Sequence, residues 1–317
     1  MAKEGKTITT YKGFDKDLKC RGFQYEVGKE YELPKGESVS VCSNGFHACE
    51  SPLEVLDYYF MDGSANLSRF CEVEQSGEFS KEVESTKVAS SKIKIKKEIT
   101  FADLIELGVE WLKEKASNDR GGDLTKIASS GKCAHIGSSG YFAQICSSGD
   151  FAQIGSSGDT AHISSSGYSA QIGSSGKCAH IGSSGYSAQI GSLGKFAKIG
   201  STGDTAKIAS SGSNAKIGSS GDFAQIGSSG DFAQIGSSGN YAQIDSTGED
   251  SVIMCAGHDS AVKAKKGSWI TLAEWYIDEE TEKMKPKCVK AEYVDGGRIK
   301  EDTWYKLVDG EFVEVNS

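Results

Sequence analysis

Proline is nearly absent, with 3 residues in 317. No apolar run approaches the roughly 20 residues that a bilayer span requires. So little proline, beside Ile at regular intervals, excludes a Pro-rich low-complexity chain. Positive charge is in deficit: 35 Lys plus Arg stand against 44 Asp plus Glu, for a net charge of −9. That balance argues against direct binding to a nucleic-acid backbone, which needs clustered Lys and Arg. The nine cysteines (Cys20, Cys42, Cys49, Cys71, Cys133, Cys146, Cys178, Cys255 and Cys288) are odd in number and lack a CxxC pair. They read as free thiols in a reducing compartment, not as a disulfide framework. Met1 to Thr10 is polar and lacks the apolar core of a signal peptide. These absences together predict a cytoplasmic protein without a membrane partner.

What is present is a repeat. From Gly122 to Gly257 the chain recurs every nine residues, with Ile at 127, 136, 145 and onward to 253 and Gly four residues after each. The unit reads Ile-Gly-Ser-Ser-Gly-x-x-Ala-x, which is the signature of a solenoid. Ala and Ile stand two apart, so on a strand they share the core face. Ser-Ser-Gly then reads as a turn, with Gly free to take positive φ and the hydroxyls free to satisfy backbone groups. Nine residues hold one strand and one corner. We favour two units per closed coil, about 18 residues, because Ala and Ile suit a thin two-sheet core. That gives about seven coils and a stack of ~34 Å at strand spacing.

Two blocks, 132–176 and 177–221, are near-duplicates of five units each. Five is not a whole number of coils, so copying moves each side chain to a different face. Outward positions carry Gln, Lys and aromatic residues. Phe142, Phe151, Phe196, Phe223, Phe232, Tyr241, Gln225, Gln234, Lys198 and Lys216 are the candidate partner contacts, since exposed aromatic rows mark interaction surfaces. The plainer reading is that they cover the edge of the roll.

The same positions bear on metal binding. Calcium rolls need Asp in every unit, and here Asp follows the turn Gly only at 150, 159, 204, 222 and 231. In an 18-residue coil Cys178, His180 and His162 share a face within reach of zinc. The competing reading of these three is exposed polar residues at a variable position, and no metal or other cofactor is expected. Flat Thr rows for ice binding and acidic rows for DNA mimicry are both missing, with nine acids against seven Lys in the array.

The ends of a solenoid need covers. Thr100-Phe-Ala-Asp103 resembles a capping box, and Phe101, Leu104, Ile105, Trp111 and Leu112 fall at helical spacing, predicting an amphipathic helix over 101–116 on the first coil. After the array, Trp269–Ile277 and Lys287–Val294 alternate like strands, and Asp295-Gly296 and Asp309-Gly310 signal turns. The expected organisation is a small α+β domain over 1–98, a capping helix over 99–120, a nonapeptide β-solenoid over 121–257 and a β-rich cap over 258–317. The fold class is mostly β.

Residues 1–98 contain Thr10-Tyr-Lys-Gly-Phe14, Cys20-Arg-Gly-Phe-Gln-Tyr-Glu-Val-Gly28 and Asn44-Gly-Phe-His-Ala-Cys49. Ser51-Pro52, with Leu53, Val55, Leu56 and Tyr59, starts a short helix. These segments, with the nonapeptide array, resemble an uncharacterised family of phage and prophage proteins. The resemblance implies a mobile-element origin and carries no activity. Tyr11-Lys-Gly13, Gly45-Phe-His-Ala48 and Tyr58 also resemble the NAD-binding core of ADP-ribosyltransferases. That likeness implies a pocket at Tyr11, Gly13, Gly45 and His47 and requires a catalytic Glu, for which Glu72, Glu74 and Glu78 are candidates. The plainer reading of His47 is a hydrogen-bonded strand residue.

The expected function is a non-enzymatic binding protein whose partner is a host or phage protein, with antagonism of a bacterial defence system, in the manner of an anti-CRISPR inhibitor, as its sharpest form. The alternatives are a self-associating structural or virion protein, which would be a homo-oligomer, and an NAD-using transferase.

Overall fold

The computed structural model describes residues 7–34, 36–41, 43–59, 68–81, 86–100, 103–104, 107–108, 111 and 122–315. The chain forms two compact units, 1–111 and 112–317.

The first unit is built on strands β1 (Ile8–Phe14), β2 (Lys19–Cys20), β3 (Phe23–Gln24), β4 (Glu30–Glu32) and β5 (Phe46–Cys49), then helix α1 (Val55–Tyr58), then the long strands β6 (Arg69–Lys81) and β7 (Lys87–Ile99). β1 pairs with β6, β6 with β7, β7 with β5, and β5 returns to β1 at Cys49–Tyr11, closing a small antiparallel barrel with β4 added on β7. Alternation along β1 sends Thr10, Lys12 and Phe14 inward. Phe14, Val73, Ile93 and Ile95 are fully buried. The interior also holds a polar chain. Thr10 Oγ1 donates to Gln75 Oε1 at 2.9 Å, and Gln75 Nε2 donates to the Phe46 carbonyl at 2.6 Å and to Ser90 Oγ at 2.9 Å. Such a chain costs little when every member is satisfied.

The expected helix beyond this barrel is described at 103–104, 107–108 and 111, all helical. Its cap is present: Asp103 N donates to Thr100 Oγ1 at 3.1 Å, and Thr100 N donates to Asp103 Oδ2 at 2.9 Å. Phe101, Ile105 and Leu112 lie outside the described residues. Within the N-terminal unit Leu104 is buried, and a Cβ on Gly108 would overlap the Leu53 side chain.

The second unit is the solenoid. Sixteen four-residue strands run from β8 (Lys126–Ser129) to β23 (Ala261–Ala264). Strands beginning at Lys126, Gln144, His162, His180, Lys198, Lys216, Gln234 and Val252 form one parallel sheet, and the intervening strands form the other. Ile145 lies beside Ile163, Ile163 beside Ile181 and Ile181 beside Ile199, so one coil is two units and 18 residues. Ile and Ala from both sheets fill a thin core, every one from Ile136 to Ile253 buried in it. Coil-to-coil hydrogen bonds recur without a break, as in His162 N to the Ala143 carbonyl at 2.8 Å and Ser166 N to the Ser147 carbonyl at 3.0 Å.

The corners differ from the sequence expectation. The turn glycines are not left-handed. That conformation falls two residues later, at Cys133, Phe142, Phe151, Thr160 and their successors to Tyr241, with φ between 50° and 61°. There the amide turns along the axis, so Phe223 N donates to the Asn240 carbonyl of the next coil at 2.8 Å. Left-handed backbone costs an L residue ~1–2 kcal/mol, and this bond offsets part of it. The glycine is required for a different reason. A Cβ at Gly203 would overlap the Gly185 carbonyl oxygen one coil below, and the same holds from Gly140 to Gly257.

The serines also separate. The first of each pair, such as Ser183 or Ser201, ends its strand buried beside Ile, and most of these hydroxyls have no hydrogen-bond partner among the described residues. The hydroxyls were expected to satisfy the turn, and in this row they pack as small core groups.

The array closes in two hairpins. β24 (Trp269–Asp278) joins the first sheet in parallel at Val252–Trp269, and β25 (Lys283–Tyr293) folds back on it. β26 (Tyr305–Val308) meets the second sheet antiparallel at Val262–Tyr305, and β27 (Glu311–Glu314) pairs with β26. The ladder thus runs from 126 to 272, about eight turns where the sequence suggested about seven. Asp309-Gly310 makes the last turn, both residues at positive φ. Glu274 ties the hairpins together. Its carboxylate receives Lys287 Nζ at 2.6 Å and the Gly310 amide at 2.7 Å, which hold its pKa down to about 2.

Two glycine substitutions separate the stacking requirement from helix-independent effects of composition. Gly203→Ala should cost about 3 kcal/mol or more, at the upper end of overpacking. Gly200→Ala, where a Cβ meets nothing within 4 Å, should stay within about 0.5 kcal/mol of wild type. Urea unfolding of both variants checks this, and equal costs would refute the close-approach account.

Candidate functional site

Two places bring chemistry together, one in each unit. In the N-terminal unit, a cavity of about 770 Å³ is walled by Tyr11, Gly13, Gly45 and His47, the four residues expected there, with Tyr58 beside them. Gly13 is fixed by packing, because a Cβ would overlap Tyr59 at the end of α1. Gly45 holds φ at 119°, a conformation reserved for glycine, as the chain enters β5. Aromatic rings form most of the wall. Phe23, Tyr25, Tyr31 and Phe46 meet edge to face, with Phe23–Tyr25 at 4.8 Å and Tyr25–Tyr31 at 5.2 Å between centroids.

At the floor lies Lys12, only 3% exposed. Its Nζ donates to the His47 carbonyl at 2.8 Å and to Cys20 Sγ at 3.3 Å, and stands 5.6 to 5.7 Å from the ring centroids of Phe14, Tyr25 and Tyr59. Tyr59 Oη lies 2.8 Å from the same sulfur. Arg21 and Lys87 add cations to the lining, and Glu30 and Glu32 are its carboxylates. None of Glu72, Glu74 and Glu78 lines it. Glu72 and Glu74 sit on β6 paired with Lys97 at 3.3 Å and Lys96 at 3.4 Å. Lys12, Cys20 and Tyr59 escaped the sequence reading because residues 8 and 47 apart meet only when the barrel closes.

The second place is the outer face of the first solenoid sheet. Along it run Gln144, His162, His180, Lys198, Lys216 and Gln234, one per coil, beside a strip of Gly182, Gly200, Gly218 and Gly236. With no side chains on that strip, the face sinks into an open groove of about 1180 Å³. No carboxylate lines it. Val252 and Met254, about half exposed, close one end.

The other expected contacts do not form one row. Because a coil is two units, alternate units turn opposite edges outward. Phe142, Phe196 and Phe232 line the corners that lead into the first sheet, and Phe151, Phe223 and Tyr241 the corners that lead out of it. Gln225 belongs to the second sheet, away from Gln234, Lys198 and Lys216. Short stacks do form, as in Phe223–Tyr241 at 4.9 Å and Tyr168–Tyr186 at 5.6 Å.

The Asp residues that follow the turn glycines have a structural role. Asp150, Asp159, Asp204, Asp222 and Asp231 each accept the backbone N–H of the residue 18 further on, at 2.7 to 3.0 Å. His162 and His180 are neighbours, with ring centroids 4.6 Å apart. Among the described residues, no three of His, Cys, Asp and Glu come together in a metal-holding group, so Cys178 does not complete a set with them.

Residues 8–107, about a third of the chain, match the family model described as Domain of unknown function (DUF7666). No curated protein and no solved structure matches the chain.

Burial first, then Lys12, Lys87 and Arg21, push His47 below the ordinary imidazole range. The unfolded chain takes up that proton near pH ~6.5 and the folded chain only below it. Stability from this group is therefore full above that pH and falls as pH drops toward the folded value. His47→Asn should flatten the decline in unfolding midpoint between pH 7 and 5. An unchanged slope would remove His47 as its source.

Proposed function

We propose that this chain is a binding protein whose solenoid presents its basic groove to an acidic, extended segment of a partner protein. One observation carries the reading. In a chain of net charge −9, His162, His180, Lys198 and Lys216 stack on consecutive coils with no carboxylate among the groove's lining residues. Lys198 and Lys216 stand on adjacent coils about 4.8 Å apart, so their charges repel one another, and an anionic strip laid along the groove removes that cost. Burial first, then His162 and Lys198, hold His180 below the ordinary imidazole range, so the lysines carry the charge. The bare glycine strip gives the backbone of such a segment room to approach. Val252 and Met254 offer an apolar anchor at the end. The same charges oppose face-to-face pairing of two copies, which counts against self-association through this face. The overall negative charge counts against long nucleic acids.

The likeness of the N-terminal segments to phage and prophage proteins makes a bacterial host protein the first partner to try, with a defence component as the sharpest case. A second reading rests on the cavity, where Tyr11, Gly13, Gly45 and His47 converge. It is a small-ligand pocket of the kind an NAD-using transferase has. The three Glu candidates stand outside its lining, which favours binding over transfer chemistry.

The test uses a fluorescein-labelled twelve-residue Asp/Glu peptide ending in Leu. It should bind the full chain with an affinity that falls as salt rises. Lys198→Glu with Lys216→Glu should weaken it at least roughly tenfold, or about 1.4 kcal/mol. No binding, binding indifferent to the double charge reversal, or preference for a single-stranded oligonucleotide of equal length would each overturn the proposal.

A further inference from the structure

The floor of the N-terminal cavity holds a buried cation that no carboxylate among the described residues answers. Among the described residues, none stands within ion-pair distance of Lys12. Its ammonium contacts one peptide carbonyl, three ring faces and the Cys20 sulfur. Taking an ammonium out of water is costly unless an opposite charge restores the balance, and neutral acceptors and ring faces restore only part of it. Among the described residues, the one acid touching Nζ is the Cys20 thiol. Tyr59 supports the same sulfur at 2.8 Å. Burial first, then the hydrogen bond to Cys20, push the phenol's ionisation well above its ordinary value, so it retains a proton to donate. The sulfur is therefore placed between two donors, one of them charged.

We propose that Cys20 is a thiolate paired with the Lys12 ammonium and steadied by Tyr59, forming a reactive nucleophile for soft carbon electrophiles that enter the N-terminal cavity. This goes beyond both readings above, since neither assigns Cys20 a role. Thiolate character beside a Lys is the usual origin of cysteine reactivity. Cys20 is 8% exposed and lines the cavity, so the electrophile arrives through it. The β2–β3 hairpin fixes its position through the Cys20–Phe23 pair. On an α,β-unsaturated carbonyl, a sulfur lone pair forms the C–S bond at the β-carbon. The π electrons move toward the carbonyl, and the α-carbon takes the proton that Lys12 gives up. Thiolate and ammonium become thioether and neutral amine, with no outside oxidant or reductant.

The other thiols supply internal references. Burial pushes Cys71 up to about 12 and Cys255 up to about 11, so both stay protonated. Cys133 and Cys146 are exposed on the solenoid. The full native chain is treated with limiting iodoacetamide from pH 8 to pH 6, where the C–S bond forms as iodide leaves, and each cysteine is followed by peptide mass spectrometry. The Cys20 rate should change less than twofold across that range, while glutathione added as a reference thiol slows about tenfold per pH unit. Lys12→Met should restore the steep pH dependence at Cys20 and leave Cys133 unchanged, and Lys12→Arg should keep the flat profile. A Cys20 rate that falls in parallel with that of glutathione, or no native reaction at Cys20, overturns the proposal. The wild-type profile decides the matter even where Lys12→Met does not fold.

Discussion

Every coil of the solenoid rests on the backbone 18 residues before it, and that contact governs the rest. Parallel pairing aligns each residue with its own counterpart, so whatever a position needs it needs again in every coil. Ile and Ala recur because the core is two side chains thick. Glycine recurs because the Gly185 carbonyl lies where a Cβ of Gly203 would go. The left-handed corner recurs because an amide such as Phe223 N has its acceptor on the next coil. Positions free of these demands vary freely, and all the surface chemistry lies there.

Parity follows from the same constraint. Two units make a coil, so a block of five units lands half a coil out of phase and exchanges the two sheets and the two edges. The first and second near-duplicate blocks thus carry Cys133 and Cys178 on opposite corners. The fold accepts this because both sheets ask for the same Ile, Ala, Ser and Gly. The aromatic residues pay for it in continuity: they form short stacks on two edges instead of one long row. The groove escapes this fate because His162, His180, Lys198 and Lys216 lie an even number of units apart.

What was legible in the sequence is what a single unit decides. Ala-x-Ile gave the strand and the core face, and the thinness of those side chains gave the two-unit coil. The turn glycine was misread because glycine looks the same whether it is wanted for φ or for close approach, and the neighbour that decides lies a full coil away. The first Ser of each pair was misread for a related reason. Its place at the end of a strand, facing in, depends on where the corner begins. In the N-terminal unit, Tyr11, Gly13, Gly45 and His47 were legible as a cluster of motifs around one pocket. Lys12 was hidden among them, since a lysine in a strand reads as solvated until barrel closure turns it inward.

The two candidate sites answer one electrostatic problem in opposite ways. Both gather positive charge in a chain that is negative overall. On the solenoid the lysines stand in water, where each is tolerated singly and their sum is felt only by something laid across several coils. In the barrel the lysine is out of water and must be answered at once, by a group already within contact. The first arrangement selects for length and charge in what binds, because one coil alone offers almost nothing. The second makes no demand on length. It concentrates its effect on a single sulfur, and the chemistry that follows belongs to the barrel whatever the solenoid holds.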